Sequence, residues 1–357
     1  MTRTLIRPTA FVDSPFGHDG KVARLAGSMN WFAAVELIRV EGHQRVSAEL
    51  VPVEGVERRF DDDMAAQWKA LTSQRPPLQL GERTIRLDQP QVMGIVNATP
   101  DSFSDGGQFA DAAAAAAAGA EMAAQGAAII DVGGESTRPG AKLVWEGDEI
   151  ERVIPVVSQL ARSGAAVSID TRKADVMTAA IDVVAQMIND VSALTYDGRS
   201  AGVIAASSVP IVLMHHKGAP ETMQDDPRYD DALVEVYLWL EERIAAAEEA
   251  GIDRNRILID PGFGFGKNVA HNLELMNGLA LFHSLGCPIV VGASRKRTIG
   301  ALSNEAPVDR RLGGSIAFAL KAAEQGAQIV RVHDVFETVQ ALRIWRGMRD
   351  QALTPRS

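Results

Sequence analysis

The feature that most constrains the fold is a series of eight short apolar segments, most of them separated by a helix-compatible stretch. The segments are rich in valine and isoleucine and lie at residues 92–99, 128–135, 166–171, 186–192, 210–216, 256–262, 288–294 and 327–334. Their nearly continuous apolar character is typical of parallel strands that are covered on both faces. Eight such units predict a (β/α)8 barrel, a TIM barrel, by their number and size. The main alternative is a doubly wound open sheet.

Three of the stretches between these segments have the composition or spacing of helices. They are residues 112–125, which are rich in alanine, and the amphipathic residues 148–162 and 230–250. In the second stretch Val153 and Val157 fall one turn apart on the same face. This alternation of strands and helices supports the barrel.

Each of the eight segments turns polar at its C-terminal end. The polar residues are Asn97, Asp131, Glu135, Asp170, Asn189, Asp190, His215, His216, Asp260, Ser294, Arg295, Lys296, Arg331, His333 and Asp334. In a barrel these ends converge on one mouth, where the active sites of such enzymes lie. A single residue of this kind is easily explained as a strand-end cap. Eight strands that end in the same way predict a functional site.

The first 88 residues follow a different pattern. Alternating segments near Val35 and Val46 predict two strands of a small sheet. Residues 60–71 predict a helix that starts with acidic side chains. We therefore expect a small α/β accessory region of unknown role over residues 1–88, followed by the catalytic barrel over residues 89–350.

Charge and composition narrow the class of protein. The net charge of −10 argues against binding to nucleic acid or to a membrane surface, because both favour a basic face. The apolar runs fall well short of the ~20 residues that cross a bilayer, and the N-terminus lacks the apolar core of a secretory signal. The single cysteine, Cys287, excludes an intramolecular disulfide and a cysteine-built metal cluster. These features predict a cytoplasmic enzyme.

Two segments after the first two predicted strands have the composition of functional loops. Residues 97–107 (NATPDSFSDGG) combine turn formers with hydroxyl groups and are too long for a simple barrel loop. Residues 131–140 (DVGGESTRPG) pair two glycines with a Ser-Thr-Arg cluster that can bind an anion. Neither loop alone identifies a substrate.

These two loops belong to a longer series of motifs. The further motifs are SIDT at Ser168, INDVSA at Ile188, DPGFGFGK at Asp260, GASRK at Gly292 and RVHD at Arg331. In order and spacing, from about Gln91 to Trp345, the series resembles the dihydropteroate synthase family. The resemblance implies a (β/α)8 barrel, independently of the periodicity. It also implies an enzyme of folate biosynthesis that joins 6-hydroxymethyl-7,8-dihydropterin pyrophosphate to p-aminobenzoate, giving 7,8-dihydropteroate and pyrophosphate.

The resemblance implies a pterin site. A pterin presents an exocyclic amine and a ring N–H, and a carboxylate can accept hydrogen bonds from both. Asp260 matches the family residue with that role. The other implied contacts are Asp170 and Asn189 at pterin nitrogens, Lys296 at the carbonyl and ring nitrogen, and Phe265 and Met214 at the ring faces.

The implied pyrophosphate site combines the two ends of the barrel sequence. Asn97 follows the first strand, Arg331 and His333 follow the last, and these strands are neighbours in a closed barrel. Asn97 is also the implied protein ligand of Mg²⁺, which prefers oxygen and usually keeps water and substrate phosphates in its shell. Asp131 and Asp170 would stabilise positive charge on the pterin methylene. The predicted catalytic residues are therefore Asn97, Asp131, Asp170, Arg331 and His333.

The p-aminobenzoate side is assigned from the second loop and the SRK element. The implied contacts are Thr137, Arg138, Pro139 and Ser294. Arg297 follows the SRK element, where a small residue is commoner in the family. The affinity of this chain for sulfonamides, which the family binds at the benzoate side, is therefore open.

The predicted mechanism is dissociative, with C–O cleavage before attack by the uncharged arylamine. A pterin-dependent methyltransferase that serves a corrinoid protein and a non-catalytic pterin-binding paralogue are the alternatives. Neither needs a pyrophosphate site, so Arg331 and His333 favour the synthase. Because the family is commonly dimeric, we expect a homodimer whose other partners are its small-molecule substrates.

Overall fold

The computed structural model describes residues 2–98, 108–135, 143–218 and 222–354. It begins with a small sheet and one helix, as the patterns near Val35 and Val46 predict. The elements are β1 (Thr2–Val12), β2 (Ala23–Arg24), β3 (Trp31–Glu41), β4 (Gln44–Pro52), a 3-10 turn at Val56–Arg59, α1 (Asp62–Thr72), and a hairpin of β5 (Leu78–Leu80) and β6 (Arg83–Ile85). Strand β3 pairs antiparallel with β1 on one side and with β2 and β4 on the other.

Strand β1 is an addition to the strands that the sequence predicts. Pro8 lies within it, and proline lacks the N–H that a central strand needs. The strand tolerates this proline because β1 is an edge strand that pairs only with β3. Register pairs from Thr2 with Glu41 to Val12 with Trp31 make it one of the two long strands of the small sheet.

The small sheet is packed on both faces. Its Ile6, Phe32 and Val35 lie in one apolar cluster with Leu71 of α1. On the opposite face Ile38 belongs to the main core of the molecule. The small sheet and α1 are therefore packed against the outside of the barrel.

The barrel itself has eight parallel strands, as predicted. They are β7 (Gln91–Asn97), β8 (Ile129–Gly133), β9 (Val167–Asp170), β10 (Met187–Asp190), β11 (Ile211–Met214), β12 (Ile257–Asp260), β13 (Val290–Val291) and β14 (Ile329–Val332). Hydrogen bonds connect them in the order β12, β11, β10, β9, β8, β7, β14, β13. A parallel bridge between Ile259 and Ile289 joins the two ends and closes the ring. The open-sheet alternative is therefore excluded.

Helices cover the outside of the ring. They are α2 (Gln108–Gln125), α3 (Glu146–Arg162), α4 (Ala174–Asp182), α5 (Ser200–Ala206), α6 (Ala232–Glu249), α7 (Val269–Gly278), α8 (Arg297–Leu302), α9 (Leu312–Glu324) and α10 (Val335–Leu353). Short 3-10 segments occupy Arg254–Arg256, Leu279–Leu285 and Val308–Arg310. None of the helices in the described ranges is long and apolar enough to cross a membrane.

The amino-terminal end of the barrel is closed by the β5–β6 hairpin. Leu78, Leu80 and Ile85 of the hairpin form an apolar cluster with residues near the starts of the barrel strands. The barrel residues of this cluster are Met93, Ile129, Ala166, Met187, Val212, Leu258, Val290 and Ile329. The polar side chains at the strand ends lie at the opposite, carboxyl-terminal end of the barrel.

Candidate active site at the barrel mouth

A cavity of about 740 Å³ opens at the carboxyl ends of the barrel strands. Seven of the residues predicted from the sequence line it, namely Asn97, Asp170, Phe265, Ser294, Lys296, Arg331 and His333. Four others are at least nine-tenths buried and lie outside this lining set, namely Asp131, Asn189, Met214 and Asp260. The mouth therefore has an open wall and a buried layer, and the predicted residues within the described part of the chain are divided between them.

The centre of the mouth is one arginine held by two carboxylates. Arg331 of β14 donates from Nε to Asp131 Oδ2 of β8 at 2.6 Å and from Nη2 to Asp170 Oδ2 of β9 at 2.7 Å. Asn189 of β10 donates to the same Asp131 oxygen at 3.0 Å. Four strands thus place polar side chains from near their carboxyl ends in one hydrogen-bonded group.

The electrostatics of this group follow from two acids that share one cation in a buried place. Burial raises the pKa of Asp170 to about 7, with Asp131 reinforcing the rise and Arg331 opposing it. Burial alone would lower the pKa of Arg331, but the two carboxylates more than offset this and hold it above its ordinary value. Arg331 is therefore a permanent cation, and the group as a whole can stabilise added positive charge.

Asp260 ends β12 beside this group. Its Oδ1 accepts a hydrogen bond from the Gly262 N–H at 2.7 Å. Burial raises the pKa of Asp260 to about 6, and the Gly262 N–H and the charge of Lys296 moderate the rise. The carboxylate form is thus the main one at neutral pH, and it has acceptor capacity beyond its bond to Gly262.

One wall of the cavity pairs a cation with a ring. The Lys296 ammonium lies 4.0 Å from the centroid of the Phe265 ring. Lys296 follows β13, and Phe265 lies in the loop after β12. A flat apolar surface next to a hydrogen-bond donor suits a planar heterocycle that carries polar edges.

Ser294 and His333 form a second polar pair in the cavity. Ser294 Oγ lies 3.1 Å from His333 Nδ1 and accepts from the His333 backbone N–H at 3.3 Å. Burial, with help from the charges of Arg295 and Arg331, lowers the pKa of His333 to about 4. His333 is therefore a neutral hydrogen-bonding group at neutral pH rather than a second positive charge.

Asn97 ends β7, which pairs directly with β14 as the closed barrel requires. Its side chain is exposed and lines the cavity together with Arg331 and His333. No group of three or more His, Cys, Asp or Glu side chains with the spacing of a metal cluster occurs in the described part of the chain. Asn97 offers one amide oxygen, a donor that suits a divalent cation with a mostly aqueous shell.

Thr137, Arg138 and Pro139, which the sequence assigns to the p-aminobenzoate side, lie outside the described residues. The described residues on either side of them are tied to each other. Glu135 accepts from the Val144 N–H at 3.1 Å, and Lys173 donates to the Val144 carbonyl at 2.7 Å.

Several polar residues of the mouth were not assigned a role from the sequence. They are the ion-paired Glu135, Glu149, Arg172 and Lys173, the buried Lys267, and the cavity-lining Gln224, Asn272, Arg295 and Arg311. Glu135 and Arg295 are among the strand-end residues that the sequence places at the mouth, and Lys267 stands directly after a glycine in the DPGFGFGK motif, so a signal was available for these three. Gln224 and Arg311 come from connections without a pattern, so no sequence signal could have found them.

Comparison with known proteins extends these observations. The family model described as pterin binding enzyme matches residues 93–333. A dihydropteroate synthase of Escherichia coli is 49% identical over 262 residues, which are 73% of this chain and 92% of that protein. The structure of a Xanthomonas albilineans dihydropteroate synthase with 4-aminobenzoic acid has 49% identity and a TM-score of 0.73, over 78% of this chain and 100% of that one.

A second Xanthomonas albilineans structure of the same enzyme, in complex with 7,8-dihydropteroate, has 46% identity and a TM-score of 0.70 over the same shares of the two chains. The match to the family model begins in β7, ends directly after β14 and spans more than half of the chain. Sequence and fold therefore agree on one assignment. The chain belongs to the dihydropteroate synthase family of pterin-binding enzymes.

Proposed function

We propose that the barrel mouth condenses 6-hydroxymethyl-7,8-dihydropterin pyrophosphate with p-aminobenzoate, giving 7,8-dihydropteroate and pyrophosphate. The observation that carries the proposal is the Arg331 guanidinium between the buried carboxylates of Asp131 and Asp170. This group combines a fixed cation for a departing anion with acids that favour positive charge on carbon. The relatives solved with 4-aminobenzoic acid and with 7,8-dihydropteroate, at 49% and 46% identity, support these substrates.

The pterin is assigned to the side of the mouth around Asp260. An ionised Asp260 can accept from the exocyclic amine and a ring N–H, in the bidentate manner that fixes a planar ring. Asn189 and Asp170, on the neighbouring side, would contact further ring nitrogens. The remaining proposed contacts are Lys296 at the carbonyl edge and Phe265 and Met214 at the ring faces.

The pyrophosphate is assigned to the cavity wall shared by Asn97, Arg331 and His333. Arg331 supplies the permanent positive charge, and the neutral His333 supplies a hydrogen bond. We propose that Asn97 helps to hold Mg²⁺, since one protein oxygen fits an ion whose other ligands are water and substrate phosphate. When bound, the ion would neutralise charge on the leaving pyrophosphate.

The proposed mechanism is dissociative. The C–O bond to pyrophosphate breaks with its electron pair on oxygen, where Arg331 stabilises the charge. The electron-rich dihydropterin and the carboxylates of Asp131 and Asp170 stabilise the methylene cation that remains. The uncharged amine of p-aminobenzoate then forms the new C–N bond. The resulting arylammonium is a strong acid, so it passes its proton to water and needs no strong base.

The p-aminobenzoate side rests on Ser294 and on the predicted contacts Thr137, Arg138 and Pro139. Ser294 lines the cavity and bonds to His333, which brings the two substrate sides together. Arg297 is exposed and also lines the cavity. We propose that Arg297 faces the p-aminobenzoate side. The affinity for sulfonamides would then measure how Arg297 affects binding there.

The test is pyrophosphate release by the purified protein, given dihydropterin pyrophosphate and Mg²⁺, with and without p-aminobenzoate. The expected result is release that depends on the amine, with dihydropteroate as the second product. Binding of the pterin without release in the presence of the amine would contradict the proposal. That result would favour the methyltransferase or the non-catalytic paralogue.

We also propose that the enzyme is a homodimer in the cytoplasm. Val339, Leu342 and Trp345, the apolar face of α10, are buried in the main core. The opposite side of the helix exposes Phe336, Ile344 and Met348. Exposed apolar side chains on one side of a helix suit a second copy of the chain. Sedimentation of the wild type and of a Phe336→Asp, Ile344→Asp double variant tests this, and an unchanged mass would contradict it.

The division into an accessory region at residues 1–88 and a catalytic barrel at 89–350 is proposed on the same footing. The relatives support it, since the family model starts only at residue 93.

A further inference from the structure

We propose that Lys267 is a positioning residue that fixes the backbone of residues 262–266 and thereby holds Asp260 and Phe265 in place for the pterin. The inference rests on the proposed assignment of the pterin to these two residues. Lys267 itself is not proposed to take part in the chemistry. It is the last residue of the DPGFGFGK motif, and the sequence suggests no role for it.

The Lys267 side chain is inserted into the loop that it follows. Its Nζ is buried and lies 2.9 Å from the Gly262 carbonyl oxygen, 3.0 Å from the Phe265 carbonyl oxygen and 2.8 Å from His215 Nδ1. An ammonium has three donors; the two carbonyl oxygens accept from it, and His215 Nδ1 is the third acceptor when the imidazole carries its proton on Nε2. Lys267 therefore ties two points of the loop to the end of β11.

The same loop is held at other points along its backbone. Asn272 accepts from the Gly264 N–H at 2.8 Å, and Gln224 donates to the Gly264 carbonyl. The Tyr229 hydroxyl donates to the Gly266 carbonyl at 2.9 Å. The loop backbone thus has side-chain partners on several sides.

Two of the loop's glycines make the fit close. Gly262 and Gly266 have φ of 70° and 64°, in the left-handed region. A Cβ on Gly262 would lie 1.8 Å from the His215 carbonyl oxygen, and one on Gly266 would lie 2.2 Å from the Lys217 carbonyl oxygen. The loop backbone therefore rests directly on the chain that follows β11, with no room for a side chain between them.

These contacts connect Lys267 to the residues assigned to the pterin. Gly262 accepts from Lys267 through its carbonyl and donates to Asp260 through its N–H, so one peptide segment transmits the position of the ammonium to the carboxylate. Phe265 accepts from Lys267 through its carbonyl, and its ring meets Lys296 in the cavity wall. Both proposed contacts with the pterin are thus connected to the same buried nitrogen.

The burial of this lysine is costly in free energy. Desolvation lowers the pKa of Lys267 well below its ordinary value. An apolar side chain of similar size would fill the space without this cost but would leave three acceptors unpaired. The cost is consistent with a residue that is kept for the geometry it imposes.

The experiment compares Lys267→Met with Lys321→Met, which removes a half-buried lysine on α9 whose partner is Glu324. Two quantities are measured in each variant. They are the dissociation constant for 6-hydroxymethylpterin, by calorimetry, and the KM for p-aminobenzoate. In Lys267→Met we expect pterin binding to weaken at least fivefold more than the KM for p-aminobenzoate rises. In Lys321→Met neither should change. A ratio below five in Lys267→Met overturns the proposal, because a merely structural loss would affect both substrates alike.

Two further variants keep the test decisive. His215→Leu removes one acceptor of the ammonium, so it should weaken pterin binding selectively but by less. If Lys267→Met does not fold, an equal effect of His215→Leu on both substrates overturns the proposal. Asp260→Asn separates the two claims. If it abolishes pterin binding while Lys267→Met does not weaken it, only the positioning role fails, whereas unchanged binding in Asp260→Asn rejects the pterin assignment itself.

Discussion

The two ends of the barrel use the same eight strands for opposite purposes. At the amino-terminal end Leu80 and Ile85 of the β5–β6 hairpin close the ring with an apolar cluster that includes Met93 and Ile329. At the carboxyl-terminal end the same strand β14 presents Arg331 to two buried carboxylates. One end gains stability from apolar burial, and the other accepts the cost of desolvated charge.

The difference teaches where each kind of substitution should act. A buried apolar side chain contributes free energy of unfolding and has no contact with a substrate. A buried charge in the mouth is held for its interaction with another charge, including charge that develops in a reaction. If the comparison is right, substitutions at the mouth change turnover and binding, and substitutions at the hairpin change stability alone.

The largest effect is expected for Arg331→Ala. Its loss removes the cation that we propose for the pyrophosphate and leaves Asp131 and Asp170 without their common partner. We expect kcat to fall about 10³-fold, the scale of a lost charge-stabilising donor, while 6-hydroxymethylpterin still binds. Steady-state kinetics and calorimetry measure the two effects.

The control for that variant is Arg58→Ala, which removes an exposed arginine of the accessory region. Its kcat should equal that of the wild type. Loss of pterin binding in both Arg331→Ala and Asn97→Ala would contradict the assignment of these two residues to the pyrophosphate.

A large effect on stability, rather than on turnover, is expected for Leu80→Ala at the closed, amino-terminal end of the barrel. Leu80 is almost fully buried, so the truncation should lower the free energy of unfolding by about 2–5 kcal/mol. The matched control is Leu50→Ala on β4, where the side chain is 68% exposed and a change within about 0.5 kcal/mol is expected. Urea unfolding gives both values. A fall in kcat of the folded Leu80→Ala enzyme would break the comparison between the two ends.

A moderate effect is expected for the pH dependence of pterin binding. Burial raises the pKa of Asp260 to about 6, and a protonated carboxyl can no longer accept from both pterin donors. Affinity for 6-hydroxymethylpterin should therefore fall about tenfold between pH 7 and pH 5. Asp170, with a pKa of about 7, acts in the same direction. Calorimetry at several pH values gives the slope.

The contribution of Asp260 to the free energy of unfolding changes with pH in the opposite direction to pterin affinity. The folded state holds the Asp260 proton more tightly than the unfolded chain, where the carboxyl has its ordinary pKa of 3.8. The stabilisation from that proton is lost as pH rises through about 6.

Pterin affinity that is flat from pH 5 to pH 7 would contradict the role of Asp260. Leu80→Ala should leave the slope unchanged.

The smallest effect is expected for Asn97→Ala. Its exposed amide is one ligand among several around the proposed Mg²⁺, so its loss should raise the Mg²⁺ concentration for half-maximal activity several-fold. At a fixed low Mg²⁺ concentration turnover should fall, and at saturation most of it should return. A titration of activity with Mg²⁺ shows this. An unchanged Mg²⁺ dependence would remove Asn97 from the metal site.

The sequence by itself predicted eight parallel strands with a polar mouth, whereas the closure of the ring, which excludes the open sheet, came from the structure. Eight valine- and isoleucine-rich segments could be covered on both faces only as parallel strands, and each became a strand of the closed ring. The polar residues at their ends identified the mouth because parallel strands all end on the same side. The family motifs added the identities of Arg331, Asp170 and Asp260 as site residues, although their exact roles stay predictions.

Only the tertiary structure decided which of these polar groups meet. The bond between Arg331 and Asp131 spans 200 positions, and the contact of Lys267 with His215 spans 52. Local patterns report periodicity over a few residues, so they carry no information about such partners. The same reason explains β1, because only its pairing with β3 shows that Pro8 lies on an edge strand, where a missing N–H is tolerated. Burial and the neighbouring charges, which set the pKa values of Asp170 and His333, likewise exist only once the ring has closed.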